Sequence, residues 1–206
     1  LSSDEVRELV EEKIQLSGRI VVLGDAQTEN RSQKQNRYVD RLERQYATRE
    51  MLALERGVHE LAERLVRRPN ETPREFVEAA IKANPKLSPE QADAVRHLCS
   101  GGSLRLVTGD AGTGKSFMLR ACDAAWKAER KRVFGCALAG AAADELERSS
   151  GVKSTTLHSL LARLEHGRLT LDGRSVVVLD EAGMVGSRLF SRLVREVAKS
   201  GAKLVC

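Results

Sequence analysis

One run constrains this 206-residue chain more than any other: Gly109-Asp-Ala-Gly-Thr-Gly-Lys-Ser116. It satisfies G-x-x-x-x-G-K-[ST], and both contexts that give the pattern meaning are present. Leu104 to Thr108 reads as a strand before it, and a helix running through Phe117, Leu119, Cys122 and Trp126 opens after it, with Trp126 in the core. Glycines let the backbone curl until its N–H groups point inward, and the helix N-terminus adds positive potential, so the whole becomes a phosphate cradle. Gly109, Ala111, Gly112, Thr113, Gly114, Lys115, Ser116 and Phe117 are therefore the candidate nucleotide-binding positions. Lys115 supplies a mobile cation for β and γ phosphates, and Ser116 offers a hydroxyl to Mg²⁺.

Further strand patterns occur at Val133–Leu138, Val176–Leu179 and Lys203–Cys206, each separated by a helical segment. Strand alternating with helix predicts an α/β fold, a parallel sheet flanked by helices. The pattern Val176–Leu179 is followed by Asp180-Glu181-Ala182-Gly183, which delivers carboxylates at the C-terminal end of a strand, where ligands bind in such sheets. Asp180 can hold the Mg²⁺ shell, and Glu181 can orient and deprotonate water, so Lys115, Asp180 and Glu181 are the candidate catalytic residues. Asp180 and Gly183 also fit the D-x-x-G of GTP-binding switches. The chain contains no [NT]-K-x-D to read guanine, and ATP is the expected nucleotide.

Residues 1–86 read differently, as a small α+β N-terminal domain. Asp4 to Leu16 predicts a short amphipathic helix, Arg19 to Leu23 a strand, and Gly24 to Asn36 a mobile polar loop. Arg37 to Tyr46 is read as a strand returning beside the first. Thr48 then caps a helix with Met51, Leu52, Leu54, Val58, Leu61 and Leu65 as its buried stripe, and a second helix runs from Pro73 to Ala83. Two prolines between Asn84 and Pro89 mark the expected join to the second domain, 87–206. There Ser88-Pro-Glu-Gln91 starts a helix that buries Ala92, Val95, Leu98 and Cys99.

The charge excess lies in that second domain: residues 87–206 hold 18 basic and 13 acidic residues, against 16 and 16 before them. That balance is compatible with a polyanionic partner. Aromatics are only 3%, which argues against a binder built mainly on base stacking. The longest apolar runs fall far short of the ~20 residues of a membrane helix, so no membrane insertion is expected. Cys99, Cys122, Cys136 and Cys206 lack metal-ligand spacing and read as reduced, partly buried thiols of a cytoplasmic protein. Arg130-Lys131-Arg132 reads as a solvated loop, and His59, His97 and His166 receive no role. The chain reads as an excised piece whose sheet is incomplete at its C-terminus.

Gln91, the phosphate loop, Ala137-Leu-Ala-Gly-Ala-Ala-Ala143, Ser154-Thr-Thr-Leu-His-Ser-Leu160 and Asp180-Glu-Ala-Gly-Met184 succeed one another in an order that resembles the first, RecA-like motor domain of RecD-like superfamily 1 DNA helicases. With Tyr46-Ala-Thr-Arg-Glu-Met-Leu-Ala-Leu-Glu55 before them and Asp180 to Ser187 as the acidic motif, the resemblance extends to conjugative relaxase-helicases of the TraA type. It covers residues 40–206. It implies a P-loop ATPase that couples ATP hydrolysis to translocation on single-stranded DNA during plasmid transfer, with Gln91 reading the adenine edge. It also implies a relaxase domain upstream and a second motor domain downstream that supplies arginines, so that this piece alone is nearly inactive. Thr155, Thr156 and His158 match a DNA-facing motif, although a helix cap at Ser154 or Thr155 explains the same letters. The turn before it carries Ala139 and Ala141 where such helicases place a hydroxyl and a base, leaving backbone N–H groups near Gly140 as the DNA contact. An exonuclease V alpha type repair helicase, or a non-catalytic nucleotide- and DNA-binding module, are the alternatives.

Overall fold

The structure is a computed structural model that describes residues 20–25, 44–109 and 114–206. The expected helix Asp4 to Leu16, nearly all of the polar loop after Leu23, and Ala111, Gly112 and Thr113 of the phosphate loop lie outside the described residues. The chain divides into two compact units, residues 1–57 and 58–206.

In the first unit, β1 (Ile20–Asp25) pairs antiparallel with β2 (Arg44–Thr48), Ile20 opposite Thr48 and Val22 opposite Tyr46, with an irregularity between Val22 and Asp25. Of the returning strand expected at Arg37–Tyr46, residues 37–43 lie outside the described residues, and 44–46 fall within β2. Thr48 Oγ1 accepts the Met51 N–H at 3.1 Å and opens α1 (Arg49–Arg67). Of the predicted stripe on α1, Leu65 alone is fully buried and the others are half-buried.

The second unit begins inside α1 and therefore earlier than the 86/87 division expected from the prolines. Leu65, Val77 and Ala80 pack into its two cores, which binds the end of α1 and all of α2 (Arg74–Ala83) to the rest of that unit. α3 (Pro89–Cys99) starts with a full capping box: Ser88 Oγ accepts the Gln91 N–H at 3.1 Å, and Gln91 Oε1 accepts the Ser88 N–H at 3.0 Å. Its face of Ala92, Val95, Leu98 and Cys99 is buried as the spacing requires.

The sheet has five parallel strands: β3 (Leu104–Arg105), β4 (Arg132–Ala137), β5 (Ser154–Thr156), β6 (Ser175–Leu179) and β7 (Lys203–Val205), in the spatial order β3-β7-β6-β4-β5. The parallel α/β expectation is met, with the addition of β5. Between the strands run α4 (Lys115–Ala128), α5 (Gly140–Ser150), α6 (Leu157–Glu165) and α7 (Ser187–Ser200). Alternation along β6 sorts the two cores. Val176 and Val178 join Val95, Leu98, Leu119 and Trp126 on one face, while Val177 and Leu179 join Leu160, Leu193 and Val197 on the other. A strand buried on both faces must be apolar throughout, which is why Ser175–Leu179 reads as an unbroken run.

One expectation fails here. Lys131 is not part of a solvated loop but 7% exposed, and Lys203 at the start of β7 is fully buried. Lys131 Nζ donates to Asn70 Oδ1 at 3.0 Å and lies 3.2 Å from the Glu129 carboxylate, while Lys203 Nζ donates to the carbonyls of Asn70 (3.0 Å) and Ser100 (2.7 Å). The carbonyl and carboxylate oxygens there replace the water these ammonium groups give up. Burial and the neighbouring Lys131 lower the Lys203 pKa to about 8.

Candidate functional site

Parallel strands send all their carboxyl ends to one edge of the sheet, and Gly109, Asp180, Gly140 and Thr155 follow or end strands at that edge. β3 continues past Arg105 alongside β7: the Val107 N–H donates to the Cys206 carbonyl at 2.8 Å, and the Cys206 N–H to the Arg105 carbonyl at 3.0 Å. Gly109 follows two residues later. Lys115 Nζ donates to the Gly109 carbonyl, so the lysine side chain spans from the helix start to the strand end. Gly114 has φ +79°, a left-handed conformation that suits glycine, and its carbonyl accepts the N–H groups of Phe117 (3.0 Å) and Met118 (3.1 Å). A Cβ at Gly114 would run into the Gln91 amide. The capping box of α3 thus delivers the Gln91 side chain to the start of α4. That start has no side-chain cap and no acid in its first turn, which leaves the positive end of the helix dipole for an anion.

The acidic side is built on β6. The Asp180 N–H donates to the Cys136 carbonyl of β4 at 2.9 Å, extending the ladder one residue beyond the strand. The Glu181 N–H donates to Asp180 Oδ1 at 3.0 Å. Glu181 itself has φ +51°, an uncommon conformation for a residue with a side chain, before a single 3₁₀ turn, Ala182–Met184. The turn separates the two carboxylates: Asp180 is half-buried and Glu181 exposed. With β7 between β3 and β6, two strand spacings of ~4.8 Å put about 10 Å between the phosphate-loop strand and the acid strand, room for phosphates and a hydrated cation. The Ser116 hydroxyl and the Asp180 carboxylate are hard oxygen donors of the kind Mg²⁺ takes.

The DNA-facing candidates occupy the same edge. Gly140 is the first residue of α5, exposed, after an Ala139 that offers no side-chain cap. Thr155 lies in β5 opposite Cys136, and His158 is exposed in the first turn of α6. The expected cap is displaced by one position or more: neither Ser154 nor Thr155 but Thr156 caps α6, its Oγ1 accepting the Ser159 N–H at 3.2 Å. Ser154 instead donates to the Val152 carbonyl at 2.7 Å. The left-handed turn at Glu181 and the reach of Lys115 to Gly109 have no one-letter signature, whereas the Gln91 capping box is written in Ser88-x-x-Gln91.

Residues 86–206 match the family described as AAA domain. Over 161 residues, 78% of the chain, the sequence is 44% identical to the probable conjugal transfer protein TraA of Sinorhizobium fredii, and 37% identical to the conjugal transfer protein TraA of Agrobacterium fabrum. Over 120 residues, 56% of the chain, it is 32% identical to the ATP-dependent RecD2 DNA helicase of Deinococcus radiodurans, 17% of whose length is covered. The chain spans 15% of the length of each of the two TraA proteins. Among the described residues no helix is long and apolar enough to cross a membrane.

Proposed function

The chain belongs to the AAA domain family, and from that premise we propose that residues 87–206 are the ATP-binding part of a motor that couples ATP hydrolysis to translocation along single-stranded DNA in conjugative plasmid transfer. The carrying observation is the shared sheet edge, with Lys115 and the uncapped start of α4 at one strand end and Asp180 and Glu181 two strands away. In this reading Lys115 leaves the Gly109 carbonyl for the β and γ phosphates, and the N–H groups at the start of α4 hold the rest of the phosphate charge. Ser116 and Asp180 hold Mg²⁺, which offsets charge on the phosphates. Glu181 orients and deprotonates the attacking water. Gln91, held by Ser88, borders the adenine. The edge around Gly140, Thr155, Thr156 and His158 carries the DNA backbone, and the protein works in the cytoplasm beside relaxase and second-motor domains of the same polypeptide. The match to RecD2 favours, as a second reading, the same motor in a repair helicase.

Isothermal titration of Mg-ATP into the 206-residue chain, with and without an oligothymidylate, tests the proposal. Binding is expected for the wild type and loss of at least tenfold in affinity for Lys115→Ala. Equal affinity in the two proteins refutes the phosphate assignment.

A further inference from the structure

The two sides of α7 have opposite chemistry. Leu193, Val194 and Val197 are enclosed in the core that also takes Val177 and Leu179 of the sheet. At 3.6 residues per turn the other side of the helix collects Arg188, Arg192, Arg195 and Lys199 within about 60° of arc, and all four are exposed. At ~1.5 Å per residue they run for about 16 Å, with about 4.5 to 6 Å from each to the next. We propose that this stripe is a docking surface for the phosphate backbone of duplex DNA, separate from the sheet edge that collects the nucleotide and single-strand candidates.

Charge is partitioned between the two helical layers. α7 carries four basic residues and one acid, Glu196, and α6 carries one of each. On the other face of the sheet α2, α3, α4 and α5 together carry seven basic and eight acidic residues. The basic excess of the helices therefore lies on the α6–α7 side. Among the described residues, Arg192 of the stripe pairs with Glu165 at 3.1 Å, whereas Arg188, Arg195 and Lys199 enter no ion pair. Like charges three and four residues apart repel one another on a helix, and a polyanion laid along the stripe turns that repulsion into attraction.

What the stripe lacks selects a duplex over a single strand. Single-strand binders add aromatic rings on which unstacked bases lie. The aromatic residue of α7, Phe190, packs against the core, so the stripe offers cations alone. A duplex hides its bases and presents phosphates from two strands, one charge per ~1.7 Å of axis, so a bare row of cations meets more charge on it than on one strand. Hydrogen bonds and ion pairs to phosphates carry no sequence information, and the contact is indifferent to sequence.

Fluorescence anisotropy of the 206-residue chain with a labelled duplex of about 20 base pairs and with a labelled oligothymidylate, across about 50 to 200 mM salt, tests the surface. The wild type is compared with a stripe variant, Arg188→Gln with Arg195→Gln and Lys199→Gln. A control variant, Lys82→Gln with Lys86→Gln and Arg148→Gln, removes the same charge from exposed positions elsewhere. The wild type is expected to bind the duplex with an affinity that falls as salt rises. At about 0.9 per phosphate, loss of three cations should take about 2 to 3 from the slope of log K against log salt and at least about tenfold from the affinity at low salt. The stripe variant should lose less than about threefold on oligothymidylate, and the control variant should stay within about threefold of wild type on both strands. Mg-ATP affinity and the unfolding midpoint of the stripe variant should match wild type, which keeps this result apart from the phosphate-loop assignment. Absence of duplex binding by the wild type at low salt, an equal loss in the two variants, or an equal loss on duplex and oligothymidylate overturns the proposal.

Discussion

The backbone nitrogen of Asp180 donates to the carbonyl of Cys136 at 2.9 Å, so β6 and β4 stay hydrogen-bonded up to the residue where the acid leaves the sheet. The next residue, Glu181, turns left-handed with φ +51°. A rigid root and a strained second position give the two carboxylates different surroundings. For a residue with a side chain that conformation costs on the order of 1 kcal/mol. Glu181→Gly is therefore expected to raise the stability of the chain by about 0.5 to 1 kcal/mol in urea unfolding, while removing the carboxylate. Glu181→Gln keeps the strain, and is expected to leave stability and Mg-ATP affinity near wild type. A drop in stability for Glu181→Gly would show that the turn is not strained.

Gly114 and Gln91 form a second coupled pair. Gly114→Ala places a methyl in a left-handed position, at about 1 kcal/mol, and into the Gln91 amide as well. The expected loss is about 1 to 3 kcal/mol, read by thermal unfolding. Adding Gln91→Ala is expected to recover the part due to contact but not the part due to φ. The two changes should thus be non-additive by at least about 0.5 kcal/mol. Strict additivity would mean the Gln91 side chain moves aside at no cost.

How far the sequence carries depends on what kind of interaction fixes each feature. The sheet and its helices were legible because an all-buried strand such as Ser175–Leu179 and a helix face such as Val95, Leu98 and Cys99 are written as periodic apolar patterns. The likeness to TraA-type and RecD-like proteins was legible for a different reason. Spaced Gly, Lys, Ser, Asp and Glu residues are demanded by phosphate and cation chemistry, and the matched family and relatives agree with the likeness those letters carry. β5 was missed because three residues, Ser154, Thr155 and Thr156, are too short for alternation to show. The compact unit starts before the proline-marked join because burial of Leu65 and Val77 is decided by partners far along the chain. The same holds for Lys131, whose enclosure depends on Asn70 and Thr72.

Lys203 makes a prediction about pH. Its folded pKa of about 8 lies below the ordinary lysine value of 10.5 expected for the unfolded chain, because burial and the charges of Lys131 and Arg105 oppose its proton, against the weaker pull of Cys99 and Cys122. A group whose proton is held less tightly in the folded state contributes stability that grows as pH rises between the two values, since the unfolded chain then binds more protons. From pH 8 to 10.5 the contribution is on the order of 2 to 3 kcal/mol. Lys203→Met should flatten that part of the urea-midpoint curve relative to wild type. Parallel curves for the two proteins would show that Lys203 titrates normally.

Thr155 and Thr156 stand side by side but should behave differently. The hydroxyl of Thr156 is occupied by the Ser159 N–H, so Thr156→Ala is expected to cost about 1 kcal/mol of stability through loss of a helix cap. Thr155 caps nothing, and Thr155→Ala is expected to change stability by less than about 0.5 kcal/mol. If this edge carries a DNA backbone, Thr155→Ala weakens oligonucleotide binding by a similar factor for every sequence, because a hydroxyl on a phosphate reads no base. With few aromatics and a basic excess of five in residues 87–206, the chain should contact only about three to five phosphates. At about 0.7 per phosphate on single strands, log K should then fall by roughly 2 to 3.5 per decade of salt. Fluorescence anisotropy with labelled oligothymidylate and a mixed-sequence strand, across a salt series, measures slope and selectivity together. A flat salt response, or a strong preference for one strand, would show recognition of bases and remove this edge as a translocation track.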